Sequence, residues 1–233
     1  MAAGDVPRST NMEGDEQGTR EAILEAAQRL FTDRGFEGTS THAIVEASGT
    51  SKGSFYHYFS SKEDLYTAVL ERMLDDVEEA SFGDVDMQAI DRDSFWQLIS
   101  MSARHSAEYM LANPDRLKLW RGFQESWRLI GDAGPARKLR EKNLELGQQL
   151  AALGQKLGCI RTDLSPLECA QLVEAAQAVT DGWLFGLVDQ HGGRGGFNRL
   201  SPVIVDLMWR MLAPPDDLHP GQSPALDGTT QVD

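Results

Sequence analysis

Apolar residues in this chain recur every three to four positions from residue 19 to residue 212, which is the period of a helix face. Ile23, Leu24, Ala27, Leu30 and Phe31 form one such stripe, and Gly35 follows as a stop signal. Ser61 opens the next long helix, with Asp64 at capping-box spacing and Leu65, Ala68, Val69 and Met73 on the buried side. Helical stretches follow at about 92–112, 115–129, 135–157, 165–189 and 199–212. Asn113-Pro114, Gly131 to Pro135, Gly158, Ser165-Pro166 and the loop His191 to Phe197 separate them. No five-residue alternating run bounded by hairpin turns interrupts the pattern, and no internal repeat appears. The expected fold class is all-α.

Composition narrows the function. With 41% hydrophobic and 25% charged residues in 233, the body has the make-up of one or two globular domains. The formal charge of -14 argues against a surface that is basic throughout. Residues 1–18 hold little to bury and read as a disordered arm; residues 213–233, with four prolines and two glycines, read as a disordered tail. No stretch approaches the ~20 apolar residues of a membrane span, and no signal peptide is visible, so a cytoplasmic location is expected. The two cysteines, Cys159 and Cys169, are too few for a disulfide framework and read as small buried residues rather than a redox pair.

The informative segment is GTSTHAIVEASGTSKGSFYHYFSSK, residues 38–62. A short helix at about 41–47 carries Ile44, Val45 and Ala47; a turn follows at Ser48-Gly49-Thr50; a second helix at about 51–57 turns Phe55 inward. A helix this short is not stable alone and must be held by neighbours. Its outer side carries Ser51, Lys52, Gly53, Ser54, Tyr56 and His57, with no acid among them. Gly53 disfavours a helix but allows another backbone to approach closely. The balance over residues 19–74 is nevertheless -2, which argues against purely charge-driven DNA binding.

Three runs, AAQRLFTDRGFEGTS (26–40), ASGTSKGSFYHYF (47–59) and SKEDLYTAVL (61–70), resemble the N-terminal domain of the tetracycline-repressor (TetR) family of bacterial regulators. The resemblance implies about nine helices, with a three-helix helix-turn-helix DNA-binding domain over 19–74 and a larger effector-binding and dimerisation domain over 75–212. It further implies that Ser40, Thr41 and His42 start a helix touching phosphate, and that Ser51, Lys52, Gly53 and Ser54 face the major groove. Tyr56, His57 and Tyr58 would lie along the backbone at the groove edge, and Lys62 would pair with a phosphate. Lys52 has the chemistry to read guanine. Thr50 stands where the family usually has valine, which loosens the expected turn packing, and Phe55 where leucine is commoner.

In the larger domain Trp96, Met101, His105, Tyr109, Trp120, Phe123 and Trp127 lie on three successive helices. Ordinary core packing accounts for any one of them. An apolar effector pocket, with His105, Tyr109 and Gln177 as polar members, is the functional alternative. A basic excess between Arg116 and Lys142 reads as a solvated face or as the mouth of a site for an anionic effector. The last two helices carry Leu172, Val173, Ala176, Val179, Trp183, Leu184 and Leu187, then Val203, Ile204, Leu207, Met208 and Met211. Stripes this wide suit a partner, and the resemblance implies a four-helix interface in a homodimer. Intramolecular packing is the alternative.

Catalytic signatures are missing from the sequence: no HExxH, P-loop, GxGxxG or nucleophile elbow, and no paired Glu-x-x-His. No enzyme, cofactor or metal is therefore expected. The expected function is a ligand-responsive, one-component regulator, foremost a repressor, that binds a palindromic operator as a homodimer. The alternative is a related ligand-sequestering or protein-binding module without DNA binding.

Overall fold

The computed structural model describes the backbone of residues 9–130, 135–191 and 194–218, and the side chains of 16–124, 137–177, 180 and 202–218. Regular structure in these residues is helical throughout: α1 (Ser9–Arg34), α2 (Thr41–Ser48), α3 (Lys52–Tyr58), α4 (Lys62–Phe82), α5 (Arg92–Ala112), α6 (Pro114–Ile130), α7 (Pro135–Lys156), α8 (Pro166–His191) and α9 (Arg194–Leu212). A single 3-10 turn closes the series at Pro215–Asp217. No helix among the described residues is long and apolar enough to cross a membrane.

Two ends differ from the sequence expectation. α1 begins at Ser9, so residues 9–18 are helix rather than arm. Their polarity gave no amphipathic signal, but helix propagation from the buried Ile23–Phe31 stripe needs only one hydrogen bond per residue added. At the other end Ala213 is buried, and Asp217 accepts from Arg92 at 2.8 Å, so 213–218 are docked rather than free. α9 also starts earlier than expected and contains Pro202. Residues 131–134, 192–193 and the tail beyond 218 lie outside the described residues.

The chain forms two compact units. One comprises residues 1–74 and 114–139, the other 75–113 and 140–233. α6 and the start of α7 thus join the N-terminal helices in the first unit. The reason is packing. α1 packs against α2, α3 and α6, and the core joins Ile23, Leu24, Ala27 and Phe31 to Ile44, Phe55, Leu65, Val69 and Met73, with Leu119, Phe123 and Leu139 completing it. Tyr66 sits edge-on to Phe31 at 4.8 Å, and burial pushes its phenol pKa up to about 12.

In the second unit α9 packs on α8 and α5. Its core gathers Phe95, Trp96, Ala151, Cys159, Ile160, Cys169, Trp209 and Leu212. Gln155 Nε2 donates to the carbonyls of Arg161 and Leu164 at 2.9 and 2.8 Å, fixing the α7–α8 loop. Both cysteines are free and buried, and burial pushes both thiols up, so neither carries the low-pKa exposed sulfur a redox sensor needs.

Candidate nucleic-acid interface

The turn between α2 and α3 is set by backbone chemistry. Gly49 ends α2 with φ 66, a left-handed conformation that costs a side-chain-bearing residue free energy. Thr50 does not loosen this turn: its hydroxyl lies 2.7 Å from Ser48 Oγ, and its N–H donates to Val45 O at 3.3 Å. Thr39, wholly buried, donates its hydroxyl to Gly35 O at 2.8 Å and lies 3.1 Å from Leu30 O. That pin fixes the approach to α2. Thr39 lies inside the motif run, but only the fold gives its hydroxyl a role.

α3 is then held from below. Phe55 is completely buried and Phe59 nearly so, each contributing about 2 kcal/mol of apolar burial. Ser51 caps the helix by accepting from Ser54 N–H at 2.9 Å, with the two hydroxyls also 2.9 Å apart. Ser40 does the same for α2, accepting from Ala43 N–H at 3.2 Å. A capping serine accepts with its lone pair and keeps its own proton to donate outward.

What remains outside is an acid-free face. Ser51, Lys52, Gly53, Tyr56 and His57 are exposed, Tyr56 to 50%. Lys52 Nζ lies 5.9 Å from the Tyr56 ring centroid, so cation and ring form one unit. A Cβ on Gly53 would meet nothing closer than Ser51 Oγ at 3.5 Å. Nothing inside the protein therefore demands glycine there. On α2, Ser40 and His42 are exposed and Thr41 half-buried.

Two expected residues are placed differently. Tyr58 is half-buried against the core, its ring edge-on to His57 at 4.7 Å. Lys62 is half-buried, and its ammonium donates to Phe36 O at 2.9 Å and lies 4.1 Å from the Phe36 ring centroid. It ties α4 to the α1–α2 turn, because a desolvated ammonium takes the nearest carbonyl. At the same junction Asp64 accepts from Ser60 N–H at 2.8 Å, while its own N–H donates to Ser61 Oγ at 3.1 Å. The capping pair is thus shared between two serines.

The charges of this unit are sorted rather than sparse. Arg72 pairs with Glu21, Arg29 with Glu25 at 4.0 Å, and Lys118 with Asp33 at 3.8 Å. The two pairs inside residues 19–74 leave its net -2 unchanged, and Lys118 offsets one acid from outside it. Arg20 is exposed, and its guanidinium carbon lies 5.4 Å from the centroid of the Phe59 ring.

The residues expected around an effector divide between the units. Trp96 is buried in the second core, edge-on to Phe95 at 5.5 Å. Met101 and His105 are half-buried, Gln177 is exposed, and Tyr109 OH lies 3.4 Å from Asp76 Oδ2. Trp120 and Phe123 belong to the first core, their rings 5.4 Å apart. Neither unit by itself gathers the set. The side chain of Trp127 lies outside the described residues, as do those of Val179, Trp183, Leu184 and Leu187. On α9 Val203 and Leu207 are 49% and 39% exposed, one turn apart, with Ile204 and Met208 half-buried beside them. On α8 Leu172 is 41% exposed.

A short capped helix held over a core by two phenylalanines, after a glycine turn, defines a helix-turn-helix protein. Residues 23–69 match the family of bacterial regulatory proteins described as tetR family. Over these residues the chain is similar to that family. The HTH-type transcriptional repressor AcnR of Corynebacterium glutamicum is 38% identical over 69 residues, 30% of this chain and 32% of that protein. The HTH-type transcriptional regulator UidR of Escherichia coli K12 is 42% identical over 60 residues, 26% and 31% of the two chains. The match thus spans about a third of these relatives. Solved structures are similar over far more of the chain. SmeT, the repressor of the multidrug efflux pump SmeDEF of Stenotrophomonas maltophilia, has a TM-score of 0.59 at 18% identity, covering 90% of this chain and 98% of its own. A TetR-family transcriptional regulator from Pectobacterium atrosepticum gives 0.59 at 20% identity, covering 86% and 96%. At such identities the likeness shows the fold alone.

Proposed function

We propose that this protein is a DNA-binding transcriptional regulator that acts as a homodimeric repressor and is released by a small-molecule effector. The observation that carries the reading is the outer face of α3: Ser51, Lys52, Gly53, Tyr56 and His57 stand in solvent without an acid, on a helix whose backbone and core contacts are satisfied elsewhere. Lys52 and the capping serines supply donors to base edges and phosphates. Gly53 leaves room for a sugar–phosphate backbone, which accounts for a helix-weakening residue that the interior does not require. Tyr58 and Lys62 act from within, orienting α3 and the start of α4.

A second copy of the chain is the proposed partner of the apolar residues exposed on α8 and α9, Leu172, Val203 and Leu207. A helix-turn-helix dimer reads half-sites about 34–36 Å apart, so two-fold symmetry in the protein suits a palindromic operator. The repressor assignment draws on AcnR, which is named as a repressor. An effector acts only through its different affinity for the two spacings of the heads. The half-buried His105 and Tyr109 are the proposed polar contacts of an otherwise apolar ligand.

The test is a titration of the purified protein against the DNA flanking its own gene at several salt concentrations. Saturable binding to one palindromic site, weakening as salt rises, is expected. A folded dimer with no site-specific binding at low salt overturns the regulator reading.

A further inference from the structure

The cations of α1, α3 and α4 differ in their partners, and among the described residues Arg20, Arg34 and Lys52 have no carboxylate beside them. Arg29 and Arg72 are held by carboxylates, and Lys62 is held by the Phe36 carbonyl. Lys52 rests on Tyr56 of α3. Arg20 rests on Phe59, the residue that caps the C-terminus of α3. Among the described residues no carboxylate pairs with Arg20, although Glu16 stands one turn before it and Glu21 next to it; Glu21 is taken by Arg72. Arg20 is exposed, yet neither its backbone nor its head is loose. It lies well inside α1, which begins at Ser9, and its guanidinium is seated over a ring that is itself buried.

We propose that Arg20 is a DNA-backbone clamp: a guanidinium delivered from α1 to the end of the reading helix, held over Phe59 so that its N–H donors meet a phosphate. The proposal rests on the DNA-binding reading of α3 and adds to it a contact from a different helix. The chemistry is that of an exposed guanidinium lying over an aromatic ring, a cation whose N–H donors suit phosphate oxygens. It adds a backbone contact close to Lys62, whose ammonium is engaged with Phe36. It also addresses the weak overall charge of the head, because an unpaired cation counts toward phosphate binding and a paired one largely does not. Pre-seating on Phe59 reduces the side-chain entropy lost on binding.

The experiment compares the unsubstituted protein with Arg20→Ala, Arg20→Lys, Arg29→Ala and Lys52→Ala on the duplex found in the flanking-DNA titration and on an unrelated duplex of equal length. Affinity is read against salt concentration. Arg20→Ala is expected to weaken both duplexes about tenfold, the scale of a lost charge-assisted hydrogen bond, and to lower the salt slope by about one. Arg20→Lys keeps the slope, and Arg29→Ala, with the same change in net charge on the same helix, leaves it unaltered. Phe59→Leu, with its melting temperature checked, loosens the seat and costs a few-fold in affinity at unchanged slope. If Arg20→Ala keeps the parent slope while Lys52→Ala loses binding, the clamp is wrong and the reading of α3 stands. An equal fall for Arg29→Ala also overturns it, since the effect is then bulk charge. No saturable binding by the unsubstituted protein overturns the DNA-binding reading itself.

Discussion

Among the described residues, the exposed faces of α3 and α9 are opposite in chemistry. The α3 face is short, acid-free and polar, with its only large ring, Tyr56, under a lysine. The α9 face offers Val203 and Leu207, with Leu172 exposed on the helix that packs beside it. The first suits a polyanion in water. The second suits an apolar surface, and a copy of itself is the simplest one available. Exposure alone therefore says little; the chemistry of the exposed atoms tells the partner.

A charge placed in the apolar face should have the largest effect. Leu207→Glu should convert the dimer to monomer at micromolar concentration, since an unpaired carboxylate at an interface costs several kcal/mol. Sedimentation should read half the parent mass, and operator affinity should fall more than a hundredfold. An unchanged mass would show that α9 is not the interface. On the other face, Lys52→Ala should cost about 1–3 kcal/mol in operator affinity, the scale of one bidentate base contact. Mass and melting temperature should stay as they are.

The core beneath α3 has its own signature. Tyr66 has its phenol pushed from 10.0 to about 12 by burial. A neutral phenol is thus favoured in the fold, and its contribution is full below pH 10 and lost as pH rises toward about 12. The loss is at most about 2–3 kcal/mol. Denaturant melts between pH 9 and 12 should show it, and Tyr66→Phe should flatten that part of the curve. The smallest effect is the most specific. Gly53→Ala should stabilise the head by roughly 0.5–1 kcal/mol, because alanine is the better helix former and a Cβ fits there. It should nonetheless weaken DNA binding. A variant both more stable and equally tight on DNA would remove the backbone-approach argument.

Much of the α3 face was legible in the sequence. Gly49 and Phe55 carry local instructions, a turn and a core anchor, each written in a residue type at a fixed spacing, whereas Ser51 was read as outer face and its capping of α3 came from the structure. Lys52, Gly53, Tyr56 and His57 were readable as its outer side for the same reason. Tyr58 and Lys62 were placed outward by resemblance and turn out half-buried, because whether a long side chain folds back depends on which carbonyl or ring lies near it. The effector set was least legible. Trp120 and Phe123 follow Trp96 in the chain but pack under α1, and hydrophobic periodicity names the buried side of a helix without naming what it is buried against.

The chain by itself determined that this protein is helical, where most of its helices start and stop, and which short segment stands out as a reading helix. Those are local matters of period, capping and glycine stereochemistry, settled within a few residues. The tertiary structure decided that α6 belongs with the N-terminal head, that Lys62 faces inward and that Arg20 rests on Phe59. Each depends on contacts between residues far apart in sequence. Such contacts form only when the free energy of burial exceeds the entropy of closing the loop between them, and no local pattern records which pairs succeed.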